Sequence, residues 1–195
     1  MPWMLQEKLK QYTAPMHDAL EQAMYVKEIM QRTLDRSQYQ KLVYINYAIH
    51  YQYEQAIFDA IDSDSAQQLD LNSRSKLGAL AADLIGEVRH TENLSKGFPE
   101  IPTSAFALGA MYVLEGATLG GNVIVKQLKL NPNFDSDQSF AYYGCYGQNL
   151  IPNWQKFLAV LNALPEDQHR QALEGAAFLF DAILLKAKTL TNNHS

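Results

Sequence analysis

At 195 residues the chain is short of the length at which one hydrophobic core divides, so residues 1–195 are expected to form a single domain. Apolar and aromatic residues make up 47% and charged residues only 19%, which gives ample material for a core and excludes a disordered chain. The net charge of -5 excludes nucleic acid as the main partner, because phosphate binding draws on a concentrated excess of Lys and Arg.

Apolar residues recur at helical spacing nearly throughout, which predicts an all-α, single-domain helical bundle. The first helix is expected over residues 3–28, with Pro15 marking a break just before His17. A second starts at Ser37, where Tyr39, Leu42, Val43, Asn46, Ile49, Tyr53, Ile57 and Ile61 trace one face. The polar run 62–75 reads as a connection to a third helix carrying Leu77, Leu80, Ala81, Leu84, Ile85 and Val88. After a Gly- and Pro-containing loop at 91–102, Thr103 or Ser104 can cap a helix that runs to about Leu130. An aromatic loop at 134–147 leads to a helix over 152–164, and Pro165 opens the last helix in the first-turn position it favours.

The helix over 104–130 contains Gly116, Gly120 and Gly121, each costing roughly 1 kcal/mol relative to Ala. Something must approach the backbone closely there. Either another helix crosses it, or a flat ligand presses against it and the glycines let the backbone bend around that ligand.

Residues 109–124, GAMYVLEGATLGGNVI, resemble the distal-helix signature of bacterial heme oxygenases, particularly those that supply biliverdin to bacterial phytochromes. Residues 9–21, LKQYTAPMHDALE, are similar to that family's proximal-ligand helix, and the similarity extends through 140–144 (FAYYG), 154–157 and the final helix. The resemblance implies that His17 is the axial ligand of heme iron, a role suited to a neutral imidazole. Glu21, one turn on and on the same face, could accept the other imidazole N–H, or be a solvated helix charge. Gly116, Gly120 and Gly121 are the implied distal contacts, leaving room for O2 while backbone and water supply hydrogen bonds. Ala117 stands where several relatives carry serine; Thr118 and Asn122 are neighbouring candidates to hold water. Lys10 and Lys126 match propionate-contact positions, Tyr112 is a third candidate through its phenol, Thr13 belongs to the implied cofactor-binding set, and Phe180 aligns with an aromatic pocket wall. The bland reading of the lysines is solvated side chains, and of Phe180 ordinary core packing.

The resemblance thus implies cleavage of heme, both substrate and cofactor, to biliverdin, CO and ferrous iron with O2. No nucleotide-binding fingerprint is present, so electrons are expected from ferredoxin, flavodoxin or a reductase, with a biliverdin-using phytochrome as a downstream partner. The alternatives are a heme carrier or sensor that never degrades its ligand, and a non-heme member of the same fold. Two Glu-x-x-His pairs, Glu87 with His90 and Glu166 with His169, could suggest a two-metal bundle, but both fall at helix ends. His50 has no evident catalytic task, Glu115 reads as structural, and Tyr142, Tyr143 and Tyr146 as shaping their loop.

The single cysteine, Cys145, cannot form an internal disulfide or a cysteine-based metal site, which points to a reducing, cytoplasmic setting. Residues 1–8 do not read as a signal peptide, and no stretch reads as apolar for long enough to span a bilayer.

Overall fold

The computed structural model describes residues 4–85, 97–100, 102–135 and 137–192, with side chains as far as residue 190. Every regular element among them is helical, as the apolar spacing predicts. α1 (Leu5–Ala23) buries Leu5, Leu9 and Thr13 and runs straight through Pro15. The expected break at Pro15 is therefore corrected. Proline removes one hydrogen bond to the Gln11 carbonyl, but Gln11 and Pro15 are both exposed, so water can satisfy that group. The chain turns instead at Tyr25, left-handed at φ 57°, before α2 (Val26–Gln31).

α3 (Arg36–Ala60) begins with a reciprocal cap. The Asp35 carboxylate accepts from the Gln38 amide at 2.8 Å, and the Gln38 side chain accepts from the Asp35 amide at 2.9 Å. The run 62–75 is more ordered than its polarity suggests. Asp62 caps α4 (Ser63–Leu69) by accepting from the Ser65 amide, and a 3-10 turn, Leu71–Ser73, follows. α5 (Leu77–Asp83) is shorter than expected, with Leu84 and Ile85 beyond its end. Val88, Glu87, His90 and most of the loop at 91–102 lie outside the described residues.

Thr103 caps α6 (Ser104–Leu119), its hydroxyl accepting from the Phe106 amide at 3.2 Å. The long helix expected to residue 130 is divided at Gly120, and α7 (Gly121–Lys129) continues beyond it. α8 (Leu150–Asn162) and α9 (His169–Asn192) complete the order. Pro165 heads a 3-10 turn, Glu166–Gln168, rather than the α-helix itself.

The packing centres on α6 and α9. A Cβ at Gly109 would overlap the Ala172 carbonyl, and one at Gly175 the Phe106 carbonyl, so only glycine permits this crossing. α3 lies against α5, α6 and α9, while α1 lies along α9. α1 and α6 thus both stand on α9 without packing extensively on each other. α8 links α1 to α6, and α2 links α1 to α7, framing the space between them.

Residues Ser104–Lys129 reach a mean hydropathy of 1.3 over an 18-residue window, which is long and apolar enough to cross a membrane. That corrects the expectation that no stretch would be. Half of the window is buried inside the protein, where contact with α3 and α9 accounts for the apolar composition.

Candidate functional site

Two faces border the space between α1 and the α6–α7 pair. On α1, the His17 side chain is 58% exposed, with Nδ1 3.6 Å from Glu21 Oε1. The exposed Asp18 carboxylate completes a cluster whose ligand atoms lie within 4.8 Å of one another. Phe180, buried on α9, meets the imidazole edge-on at 6.5 Å between ring centroids. The structure therefore brings His17, Glu21 and Phe180 together. Thr13 is placed differently: it is buried, and its hydroxyl donates to the Leu9 carbonyl at 2.8 Å. Its proton is committed within α1, so the implied cofactor contact is not made by that hydrogen.

The three glycines separate by environment. A Cβ at Gly116 would meet nothing within 4 Å, and one at Gly120 only the tip of Ile124 at 3.8 Å. A Cβ at Gly121 would overlap the Tyr143 carbonyl. Gly121 is buried and its missing side chain allows close packing against the 140s loop, a role separate from its expected place as a distal contact. Close helix or loop approach explains Gly109, Gly121 and Gly175, but it does not explain Gly116 or Gly120. Among the described residues, packing demands glycine at neither position.

Around them, Ala117, Lys126 and Lys10 are exposed, and neither lysine forms an ion pair among the described residues. Tyr112, one turn before Gly116, is half-buried with its ring 5.7 Å from that of Trp154 on α8. Burial raises its pKa and keeps the phenol protonated. Thr118 is buried, its hydroxyl donating to the Glu115 carbonyl at 3.0 Å, whereas Asn122 is exposed. Among the Glu-x-x-His pairs, Glu166 and His169 are both approached by Lys8 Nζ, at 3.4 and 3.2 Å, and His169 Nε2 lies 3.1 Å from the Leu164 carbonyl. A cation among these ligands opposes a metal ion there.

The other side of α6 carries a buried polar network. Glu115, read from sequence as structural, accepts from Arg74 Nη1 and Lys76 Nζ, both at 2.6 Å, and from the Tyr146 hydroxyl at 2.8 Å. Glu54 accepts from the Ser75 hydroxyl at 2.5 Å and the Lys76 amide at 3.0 Å, and pairs with His50 Nδ1 at 2.5 Å. His50 is fully buried, edge-on to Tyr142, and its Nε2 has no hydrogen-bond partner among the described residues. Desolvation pulls the His50 pKa below its ordinary 6.5 despite the Glu54 hydrogen bond, and the Lys76 charge adds to the lowering. Burial alone would raise Glu54, but bonds from His50, Ser75 and the Lys76 amide hold it below 4.5. The neutral imidazole thus donates through Nδ1 and presents Nε2 as an acceptor. Sequence reasoning gave His50 no task and passed over Glu54; their i,i+4 spacing inside an apolar helical face was the available signal.

Against this geometry stand the comparisons with known proteins. The family model described as heme oxygenase matches residues 4–184. Among solved structures, the fold is similar to the NO- and CO-bound heme oxygenase from Neisseria meningitidis, at 19% identity over 96% of this chain and 92% of that one, with a TM-score of 0.76. It is also similar to heme oxygenase from Leptospira interrogans, at 15% identity over 95% of this chain and 100% of that one, with a TM-score of 0.72. No curated protein gives a significant match. With a family model spanning nearly the whole length and a shared fold, the chain belongs to the heme oxygenase family.

Proposed function

We propose that this chain binds heme in the space between α1 and the α6–α7 pair and cleaves it to biliverdin, CO and ferrous iron with O2 and external electrons. The observation that carries this reading is the open side of Gly116 and Gly120 in a helix whose other glycines are all consumed by packing. A backbone kept bare toward empty space is what a flat, rigid ligand needs for close approach. The residues opposite fit the same ligand. His17 offers an exposed imidazole, Glu21 can orient it, and Phe180 supplies an apolar wall.

Bound heme supplies the iron at which O2 is reduced and the porphyrin carbon that is oxidised; the protein supplies placement. His17 would hold the heme iron through its imidazole, with the Glu21 carboxylate a turn away placed to help orient the ring. Gly116 and Gly120 would face the bound heme with backbone alone and so leave room beside it for O2, with selectivity set by shape. Lys10 and Lys126, exposed and without ion-pair partners among the described residues, are the cations for the propionates. Tyr112 is placed to serve as a neutral hydroxyl donor, because burial keeps its proton on. Electrons would come from ferredoxin, flavodoxin or a reductase, with the protein acting in the cytoplasm. The product would suit a biliverdin-using phytochrome.

The test is an optical titration with hemin followed by turnover with ascorbate or ferredoxin. The expected result is a Soret band that appears on binding and is lost with formation of a bilin. A Soret band that persists under reductant would make the protein a carrier, and no hemin binding would return it to a non-heme role within the fold.

A further inference from the structure

We propose that Glu115 is the positioning residue of the glycine-bearing helix pair, its buried carboxylate fixing where Gly116 and Gly120 stand. The functional consequence rests on the heme reading above; the anchoring itself does not. Among the described residues, a Cβ at Gly116 would meet nothing within 4 Å and one at Gly120 only the tip of Ile124, so the contacts that hold α6 there come from its other side. Glu115 directly precedes Gly116, about 100° around the helix, and is buried to 3% exposure. Both of its oxygens are used, by Arg74, Lys76 and Tyr146.

Each of those partners is tied elsewhere. Arg74 donates to the Leu69 carbonyl at 2.8 Å and the Asn153 carbonyl at 3.1 Å, reaching α4 and α8. The Lys76 amide donates to Glu54 on α3, and the Lys76 ammonium lies 4.9 Å from the centre of the Tyr146 ring. Tyr146 belongs to the same loop whose Tyr143 carbonyl meets Gly121. One loop therefore grips the helix pair on both sides of the Gly120 break, and Glu115 locks the first of those grips to three other helices. A buried carboxylate contacted by two cations has a steep positional preference, because moving it leaves charges uncompensated in a low dielectric. Displacement of a reacting arrangement by about 1 Å is enough to change its outcome.

The experiment uses two variants chosen to keep the fold. Tyr146→Phe removes one hydroxyl from Glu115 and no charge. Glu115→Gln combined with Lys76→Met leaves one buried cation, Arg74, and one buried carboxylate, Glu54, so the summed charge of the four groups stays neutral. Amide hydrogen exchange across 112–124 is measured in the hemin-free proteins, and hemin affinity and biliverdin isomer proportions in the loaded ones. In the double variant, exchange across 112–124 is expected to quicken about tenfold while α1 and the core of α9 keep wild-type rates. Hemin affinity stays within about threefold while the isomer proportions change, a separation that general destabilisation does not produce. Unchanged exchange in a folded double variant overturns the anchor, and faster exchange with unchanged isomers overturns its role in positioning. Should the double variant fail to fold, Tyr146→Phe decides on the same two measurements, wild-type behaviour in both overturning the proposal. If the wild-type protein does not bind hemin, the heme reading fails, and the exchange arm alone upholds or overturns the anchor.

Discussion

A histidine on a helix surface is an ordinary feature until its neighbours restrict what it can do. His17 is exposed, yet its ring is held between a carboxylate at 3.6 Å and the edge of a buried phenylalanine. His17→Ala is expected to weaken hemin binding and abolish turnover, with added imidazole restoring a six-coordinate spectrum; an unaltered Soret band and full activity would reject the proximal role. Glu21→Gln should cost less, up to about tenfold in hemin affinity, because the interaction is long and solvent-exposed. His50 shows the opposite logic. Its pKa is lower in the folded chain than in the unfolded one, so the unfolded state takes up the proton first as the pH drops below 6.5. The stability it contributes is complete above that pH and is lost on acidification; Glu54, held below 4.5, acts in the same direction further down. The urea midpoint is expected to fall between about pH 7 and pH 5.5, and to fall less in His50→Gln, which cannot titrate there.

At the scale of elements, the prediction is a difference in sign between glycines that sequence reasoning treats alike. Gly116→Ala places a methyl group in open space within a helix interior, so the hemin-free protein should gain up to roughly 1 kcal/mol. Gly121→Ala drives a Cβ into the Tyr143 carbonyl and should cost about 1–3 kcal/mol, read from chemical denaturation. Equal effects at the two positions would remove the structural basis for the open slot. Replacing Gly116 or Gly120 with Leu is expected to leave the fold intact and impair hemin binding, whereas the same change at Gly109 or Gly175 would separate α6 from α9.

For the whole molecule, α1 and α6 share α9 more than they share each other, and the proposed heme site lies between them. A ligand that fills it should stabilise the fold by mass action, about 2.7 kcal/mol at a free hemin concentration of 100 times Kd. A thermal midpoint insensitive to hemin would count against that site. The sequence by itself determined the helical class, through the 3.6-residue spacing of apolar positions, and pointed to the glycine run through a local pattern and to His17 through a family resemblance. It also suggested the Thr103 cap and the structural role of Glu115, because capping and buried charge follow short-range rules. Only the tertiary structure decided that α1 continues through Pro15, that Gly121 is a packing glycine while Gly116 and Gly120 face open space, and that His50, Glu54, Arg74 and Lys76 share one buried network. The reason is that a residue's own spacing fixes its helix face, whereas what fills the space opposite that face depends on segments tens of residues away and on the angle at which they cross.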